Sequence, residues 1–262
     1  MDPSVVLATF DAQLRRHPPV RAPDQRTERD VTVVRVLGGA DGWSGVTWSR
    51  LDEARVDAVI AAQVDRFAEL GTGEWEWKHY AYDAPANLPE RLVAAGFRPE
   101  PSETVMVAEL AGLVLDHPPP PGVELRPVGD ARGIDALVRV HDEVFGEDHS
   151  ALGRMLREAV ASDPPSVAAV VAMAGGEAVA AGRVEFHTGT EFASLWGGGT
   201  LPAWRRRGIF RALVARRAAL AAARGFRYLH VDASPESRPI LERLGFAVLA
   251  TTTPFIHPGR PR

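Results

Sequence analysis

Four consecutive prolines, Pro118 to Pro121, followed by Gly122, interrupt this chain near its middle. None of them offers a backbone N–H and each fixes φ, so neither a helix nor a central strand runs through the segment. The run is predicted to be a stiff linker. It separates residues 1–117 from residues 123–262, with 118–122 between them, and each part has ordinary domain length. Each must then bury a core of its own. With 45% hydrophobic and 24% charged residues among 262, the chain can supply two.

What is missing narrows the chemistry. There is no cysteine, which excludes disulfides, thiol nucleophiles, iron–sulfur clusters and thiolate zinc sites. Lys78 is the single lysine, so a Schiff-base enzyme would have to use it. The net charge of -4 gives no chain-wide basic excess for nucleic acid. Met1-Asp2-Pro3-Ser4 has no basic n-region. The apolar run 166–174 is too short to cross a bilayer and ends at Gly175-Gly176-Glu177. The expectation is a cytoplasmic protein with no membrane or nucleic-acid partner.

The second part alternates strands and helices. A short strand, 123–126, precedes a helix over 130–145 with Ile134, Leu137, Val138, Val140 and Val144 at helical spacing. Ser150 is placed to cap a second helix reaching Ala161. Segments 166–173 and 178–186 read as a hairpin around Gly175-Gly176. A strand over 192–201, a helix over 209–224, a strand over 228–232, a helix over 235–244 and a strand over 246–256 follow.

The first part ends as a faint copy of the second. A shift of 149 positions aligns Asp83 with Asp232, Leu92 with Leu241, Gly96 with Gly245, Phe97 with Phe246 and Thr104 with Thr253, without a gap. In each copy a strand enters an Asp-Ala turn, a short helix ends at Gly-Phe and another strand follows. The glycine suits a helix C′ position, where left-handed φ is cheap. Strands 31–37 and 45–48 and a helix over 52–70 extend the likeness in order.

The segment that carries chemistry runs from Thr200 through Pro202, Arg205, Arg206, Arg207, Gly208, Ile209, Phe210 and Arg211 to Leu213, between a strand and a long helix. A helix N-terminus offers unpaired N–H groups and a positive dipole end. N–H groups of 206–211, with arginine beside them, can wrap a pyrophosphate. The segment lacks the Gly-Lys-Ser/Thr of a Walker A loop. A solvated arginine face and a nucleic-acid patch are the other readings. The strand-to-helix position favours a small cofactor, and no aromatic ladder accompanies the charge.

Here the chain resembles the GNAT superfamily of N-acetyltransferases, whose phosphate loop reads Arg/Gln-x-x-Gly-x-Gly/Ala. Arg205 and Gly208 fall on that pattern, and Phe210 departs from its last position. Pro202, Leu213 and the ending Leu241-Glu242-Arg243-Leu244-Gly245-Phe246 also fit. The resemblance covers about residues 123–258 and touches the first part only at its end. It implies two GNAT-like α/β domains in tandem, the first degenerate. Each would be a mixed, mostly antiparallel twisted sheet with splayed central parallel strands, flanked by helices. Before the first-part helix stand Asp52 and Glu53, which suit a helix dipole but repel phosphate. One acetyl-CoA site, in the second part, is therefore expected, with no metal.

The resemblance further implies that pantetheine enters between strands 192–201 and 228–232, pairing with backbone at Thr200 and Leu201. An N–H near Gly198 or Gly199 would hold the thioester oxygen. Glycine at 197–199 is unusual in a central strand, and a bulge or a close ligand approach explains it. The family's usual tyrosine acid would fall at Leu241; Ser237, one turn earlier, is the substitute, with a plain helix-surface serine as its bland reading. Candidate bases are Glu185, Glu191, His230 and Asp232. Glu185 and Glu191 also read as hairpin charges and Asp232 as a helix cap. His141, Asp142, Glu143, Glu147, Asp148 and His149 read as a solvated helix end, or as negative charge selecting a cationic amine.

The expected activity is direct acetyl transfer from acetyl-CoA to a small primary amine in a ternary complex. The alternative is a non-catalytic acyl-CoA sensor or scaffold. The two parts would pair as an intramolecular pseudo-dimer, in a monomer or homodimer. Trp75 or Trp77 would wall the acceptor pocket, with core packing as their default reading.

Overall fold

A computed structural model describes residues 1–20, 24–39, 42–161 and 165–259. The first part contains α1 (Pro3–Phe10), a π-helical turn (Asp11–Arg16), β1 (Arg26–Arg29), β2 (Val33–Leu37), β3 (Gly45–Ser49), α2 (Val56–Glu69), β4 (Trp75–Tyr80), α3 (Leu88–Ala94), β5 (Arg98–Pro99) and β6 (Glu103–Glu109). Beyond the prolines follow β7 (Val123–Val128), α4 (Ala131–Phe145), α5 (Ser150–Ala161), β8 (Val167–Ala174), β9 (Glu177–Phe186) and β10 (Phe192–Thr200). The chain ends with α6 (Ile209–Ala223), β11 (Tyr228–Ala233), α7 (Arg238–Arg243) and β12 (Ala247–His257). No helix among the described residues is long and apolar enough to cross a membrane.

The chain divides into two compact units. One is Met1–Val105 with Asp232–Glu236 and Val248–Arg262; the other is Met106–Val231 with Ser237–Ala247. Residues 118–122 lie inside the second unit. The sequence pattern keeps the last strand with the second part. In the structure β12 pairs antiparallel with β4, from Thr252↔Tyr80 to His257↔Trp75. A strand is assigned by its hydrogen-bonding partner, which chain order does not dictate.

In the first unit the sheet order is β1-β2-β3-β4-β12, with β5 on β12. The buried stripe of α2, Val56, Ile60 and Phe67, covers it. Trp75 stacks on Phe67 at 4.0 Å and meets Phe97 edge-on. Trp75 and Trp77 are buried in this core with Leu88, Leu92 and Phe255, which is their default reading of core packing and not the alternative of an acceptor wall. Burial of two indole rings outweighs any surface role here.

β3 and β4 run parallel only at Gly45↔Glu76 and Val46↔Trp77. Arg15 sits where they part. Its Nε donates to Thr47 O (3.1 Å), and Thr47 Oγ1 donates to Arg15 O (2.8 Å). Its guanidinium grips both oxygens of Asp83 (2.7 and 2.9 Å), reaches Asp11 and the Tyr82 hydroxyl, and lies 3.9 Å over the Tyr80 ring.

The second unit has the order β11-β10-β9-β8-β7, antiparallel from β7 to β10. β10 and β11 are parallel at Phe192↔Tyr228, Ala193↔Leu229 and Ser194↔His230. On one face α4 and α5 bury Ile134, Leu137, Val140 and Leu156 against Val167, Ala169, Val171 and Ala181. On the other, Ile209 and Leu213 of α6 pack on Val170, Ala172, Val179 and Ala180, where alanines let the helix approach. This is the mixed, mostly antiparallel α/β architecture that the sequence implies.

The repeated ending holds at the level of single bonds. Gly96 N–H donates to Val93 O (3.0 Å) and Phe97 N–H to Leu92 O (3.1 Å). Gly245 N–H donates to Glu242 O and Phe246 N–H to Leu241 O, both at 3.1 Å. The glycines take φ +96° and +98°.

Arg15 and Asp83 form a buried pair, with side chains 3% and 5% exposed. Arg15→Met should therefore lower unfolding free energy by roughly 3–5 kcal/mol, because Asp83 is left charged and unpaired. Adding Asp83→Asn should recover part of that loss. A denaturant-melt double-mutant cycle measures both.

Candidate functional site

Three glycines bend β10 before it reaches the arginine loop. The register with β9 shifts between Trp196 and Gly199, and Gly197 takes φ +56°, which a side chain would strain. A Cβ on Gly197 would overlap the His141 ring. One on Gly198 would come 3.0 Å from the Phe210 ring, and one on Gly199 3.0 Å from Val144. These glycines thus answer to protein side chains on α4 and α6. Phe210, the departure from the family pattern, is matched by Gly198.

Beyond β10 the backbone turns through Pro202–Trp204 and enters α6. Arg206 (φ 62°) and Gly208 (φ 87°) are both left-handed; Arg206 is the one non-glycine of that kind among the described residues. Ala212 N–H makes the first helical bond, to Gly208 O (3.1 Å). The N–H groups of Ile209, Phe210 and Arg211 therefore have no helix carbonyl to meet. Arg205, Arg206, Arg207 and Arg211 are exposed, and among the described residues no carboxylate pairs with them. A Cβ placed on Gly208 would lie 3.9 Å from Arg211 Nη2.

Arg205 Nε donates to Thr200 O (3.1 Å), bracing strand against loop. Leu201 N–H donates to Val179 O (2.9 Å), so its expected pairing with pantetheine is corrected: that donor belongs to β9. By antiparallel alternation Thr200 turns its main chain away from β9, toward the side where β11 has diverged. Its buried Oγ1 has no protein partner.

Alternate positions bring polar side chains to one face: Arg183 and Glu185 on β9 with His187 just past its end, Ser194 and Trp196 of β10 opposite Glu185 and Arg183, and His230 across from Ser194 on β11. Glu185 accepts from Arg183 Nε (3.1 Å). Ser194 Oγ lies 2.7 Å from His187 Nε2 and accepts from the Trp196 indole at 2.7 Å. Buried His141, on α4, meets Phe145 and His149 edge-on. Burial, reinforced by the charge of Arg183, pushes it down to about 4.

The other candidates lie elsewhere. Glu191 immediately precedes β10, at the end opposite the loop, and pairs with Arg227 (3.3 Å). Asp232 belongs to the first unit, where its carboxylate accepts from Lys78 Nζ. Ser237 precedes α7 and its carbonyl accepts from Ile240 and Leu241 N–H, both at 3.0 Å. Leu241 is a core residue, 1% exposed. Asp142 accepts from the His149 N–H and Asp148 from the Ser150 N–H, so half of the acidic cluster serves the turn into α5. Sequence reasoning passes over Arg183, His187, Ser194 and Trp196, although their period-two spacing is legible once the hairpin is placed.

Residues 134–246 match the Acetyltransferase (GNAT) family. A GCN5-related N-acetyltransferase from Kribbella flavida is 18% identical with a TM-score of 0.70, covering 98% of this chain and 96% of that one. A functionally unknown conserved protein from Staphylococcus epidermidis is 13% identical, also at 0.70, covering 96% and 98%. A tandem GNAT protein from the clavulanic acid biosynthesis pathway is 12% identical at 0.62, covering 99% and 95%. At such identities these structures show a shared fold. No curated protein matches the sequence.

Asp232 and Lys78 have a titrating neighbour in the first unit. Burial, with the Asp232 charge added and Lys78 opposing, raises Glu103 from 4.5 to about 7. A raised carboxylate favours the fold while protonated, so its contribution fades as pH climbs from about 4.5 through 7. Glu103→Gln should therefore melt roughly 2–4 °C higher than the unaltered protein at pH 8. The difference should shrink toward zero at pH 5, as read by thermal scans across that range.

Proposed function

We propose that this protein transfers an acetyl group from acetyl-CoA to a primary amine, with its GNAT domain as the catalytic part. The observation that carries the reading is the passage from β10 into α6. A left-handed turn at Arg206 and Gly208 presents the N–H groups of residues 209–211 among exposed arginines that have no carboxylate partner among the described residues. Such an entry suits a pyrophosphate. It stands beside the strand pair β10–β11, whose ladder ends at Ser194↔His230 and leaves room for an extended pantetheine chain.

The amine nitrogen attacks the thioester carbon, the C–N bond forms, and the C–S bond breaks with its electron pair leaving on sulfur. The attacking nitrogen must shed a proton. Glu185, His187, Ser194 and His230 supply the polar face for that step, while positioning of the two substrates contributes much of the rate. Exposed Glu143 and Glu147 at the end of α4 favour a cationic amine. A core leucine at 241, where the family's acid would stand, favours the second reading of a non-catalytic acyl-CoA sensor. CoA release on a panel of amines separates the two.

The first part is a copy without a cofactor site in this reading. The turn leading into its α2 starts at Asp52, which accepts from Arg55 N–H (3.0 Å) and pairs with the Arg55 guanidinium (2.7 Å). Its own strand parting is held by Arg15. Calorimetry should therefore find one acetyl-CoA per chain; a second site of comparable affinity would defeat the degenerate-copy reading.

Gly208→Glu adds bulk and negative charge at the proposed phosphate position and should weaken acetyl-CoA binding by about 100-fold or more. Gly208→Ala, which adds only the strain of a left-handed side chain, should cost far less affinity. Equal affinity in the glutamate variant would remove the loop from the binding site.

A further inference from the structure

Arg217 lies on α6, is 1% exposed, and among the described residues has no carboxylate partner. Burying a cation without a counter-charge is expensive. Burial, with the charge of Arg183 nearby, lowers its pKa to about 9, which leaves it protonated at neutral pH. Its donors go to backbone carbonyls instead. Nε bonds Leu213 O (3.0 Å), and Nη1 bonds Arg183 O (3.1 Å) on β9 and Trp196 O (3.3 Å) on β10. Two glycines make room for it. A Cβ on Gly182 would lie 2.7 Å from Nη1, and one on Gly198 3.3 Å from Nη2.

A nitrogen shared by carbonyls of β9 and β10 marks the β9 side of β10. In a trans peptide the N–H points opposite to the C=O. With Trp196 O held toward Arg217, the Gly197 N–H is aimed to the other side of β10, the side from which β11 has diverged. A cation bonded to the carbonyl end of a peptide also polarises its N–H and strengthens it as a donor.

We infer that Arg217 is a positioning residue, which fixes and polarises the Gly197 N–H so that it receives the thioester oxygen of acetyl-CoA. The inference rests on the acetyl-transfer reading above. As the amine lone pair forms the C–N bond, the carbonyl π pair moves to oxygen, and the Gly197 N–H meets that charge. The pair then returns, the C–S bond breaks and sulfur leaves as thiolate. The surplus proton on nitrogen passes to a basic group or to water.

The test uses the full chain with acetyl-CoA labelled with 13C at the carbonyl, read by isotope-edited infrared spectroscopy beside steady-state kinetics. The bound carbonyl stretch should fall below that of free acetyl-CoA. Arg217→Met should lose most of that shift and about tenfold or more in kcat. KM for acetyl-CoA should stay within about threefold, the split expected of an interaction made in the transition state. Gly182→Ala, which displaces the guanidinium while keeping its charge, should move both readouts the same way, and it serves if the methionine variant fails to fold. An unchanged stretch in either folded variant overturns the inference. Tight binding by the unaltered protein with no shift overturns it while the acetyl-transfer reading stands. No binding at all overturns both.

Discussion

Each compact unit contains a pair of parallel strands that separate after a few residues. β3 and β4 pair at two positions, and β10 and β11 at three. Separation strips backbone donors and acceptors of their ladder partners, and such groups must find others or face a ligand. In the first unit Arg15 enters the gap, bonding Thr47 O on one strand and covering Tyr80 on the other. In the second unit the parting is bordered by a glycine-bent strand and by an arginine-rich helix entry. The same strand geometry is thus closed by the chain's own arginine in one unit and bordered by glycines and a left-handed helix entry in the other.

Local cost is concentrated at that second parting. Arg206 in left-handed conformation costs about 1–2 kcal/mol, and three glycines in one strand forgo side-chain packing. Strain of this kind persists where the surroundings impose it and where function uses it. Here the surroundings are identifiable: His141 and Val144 press from α4, and Phe210 and Arg217 from α6. The equivalent helix entry in the first unit is relaxed, with Asp52 capped by its own Arg55.

Charge placement follows the same division. Asp83 and Asp232 occupy matching positions in the repeat, and both are engaged by cations, Arg15 and Lys78, within the first unit. The acidic residue at the end of β11 is thereby drawn into a salt bridge. The polar side chains gathered in the second unit are those at alternate positions along β9 and β10, with His230 beside them.

Much of this was legible in the residues alone. The element order of the second part, the Gly-Phe endings at Gly96-Phe97 and Gly245-Phe246, the bulge at residues 197–199 and the helix entry at Gly208 all follow from φ preferences, N–H supply and apolar spacing within a few residues. Those are local quantities, and neighbouring residues determine them. Tertiary structure alone decided that β12 pairs with β4, that Asp232 meets Lys78 across 154 positions, and that Arg217 reaches Trp196 O under the bulge. Each of these depends on strand order and register. A hydrophobic pattern states which face of a strand is buried but not which strand lies beside it, so long-range partners emerge only when the sheet closes.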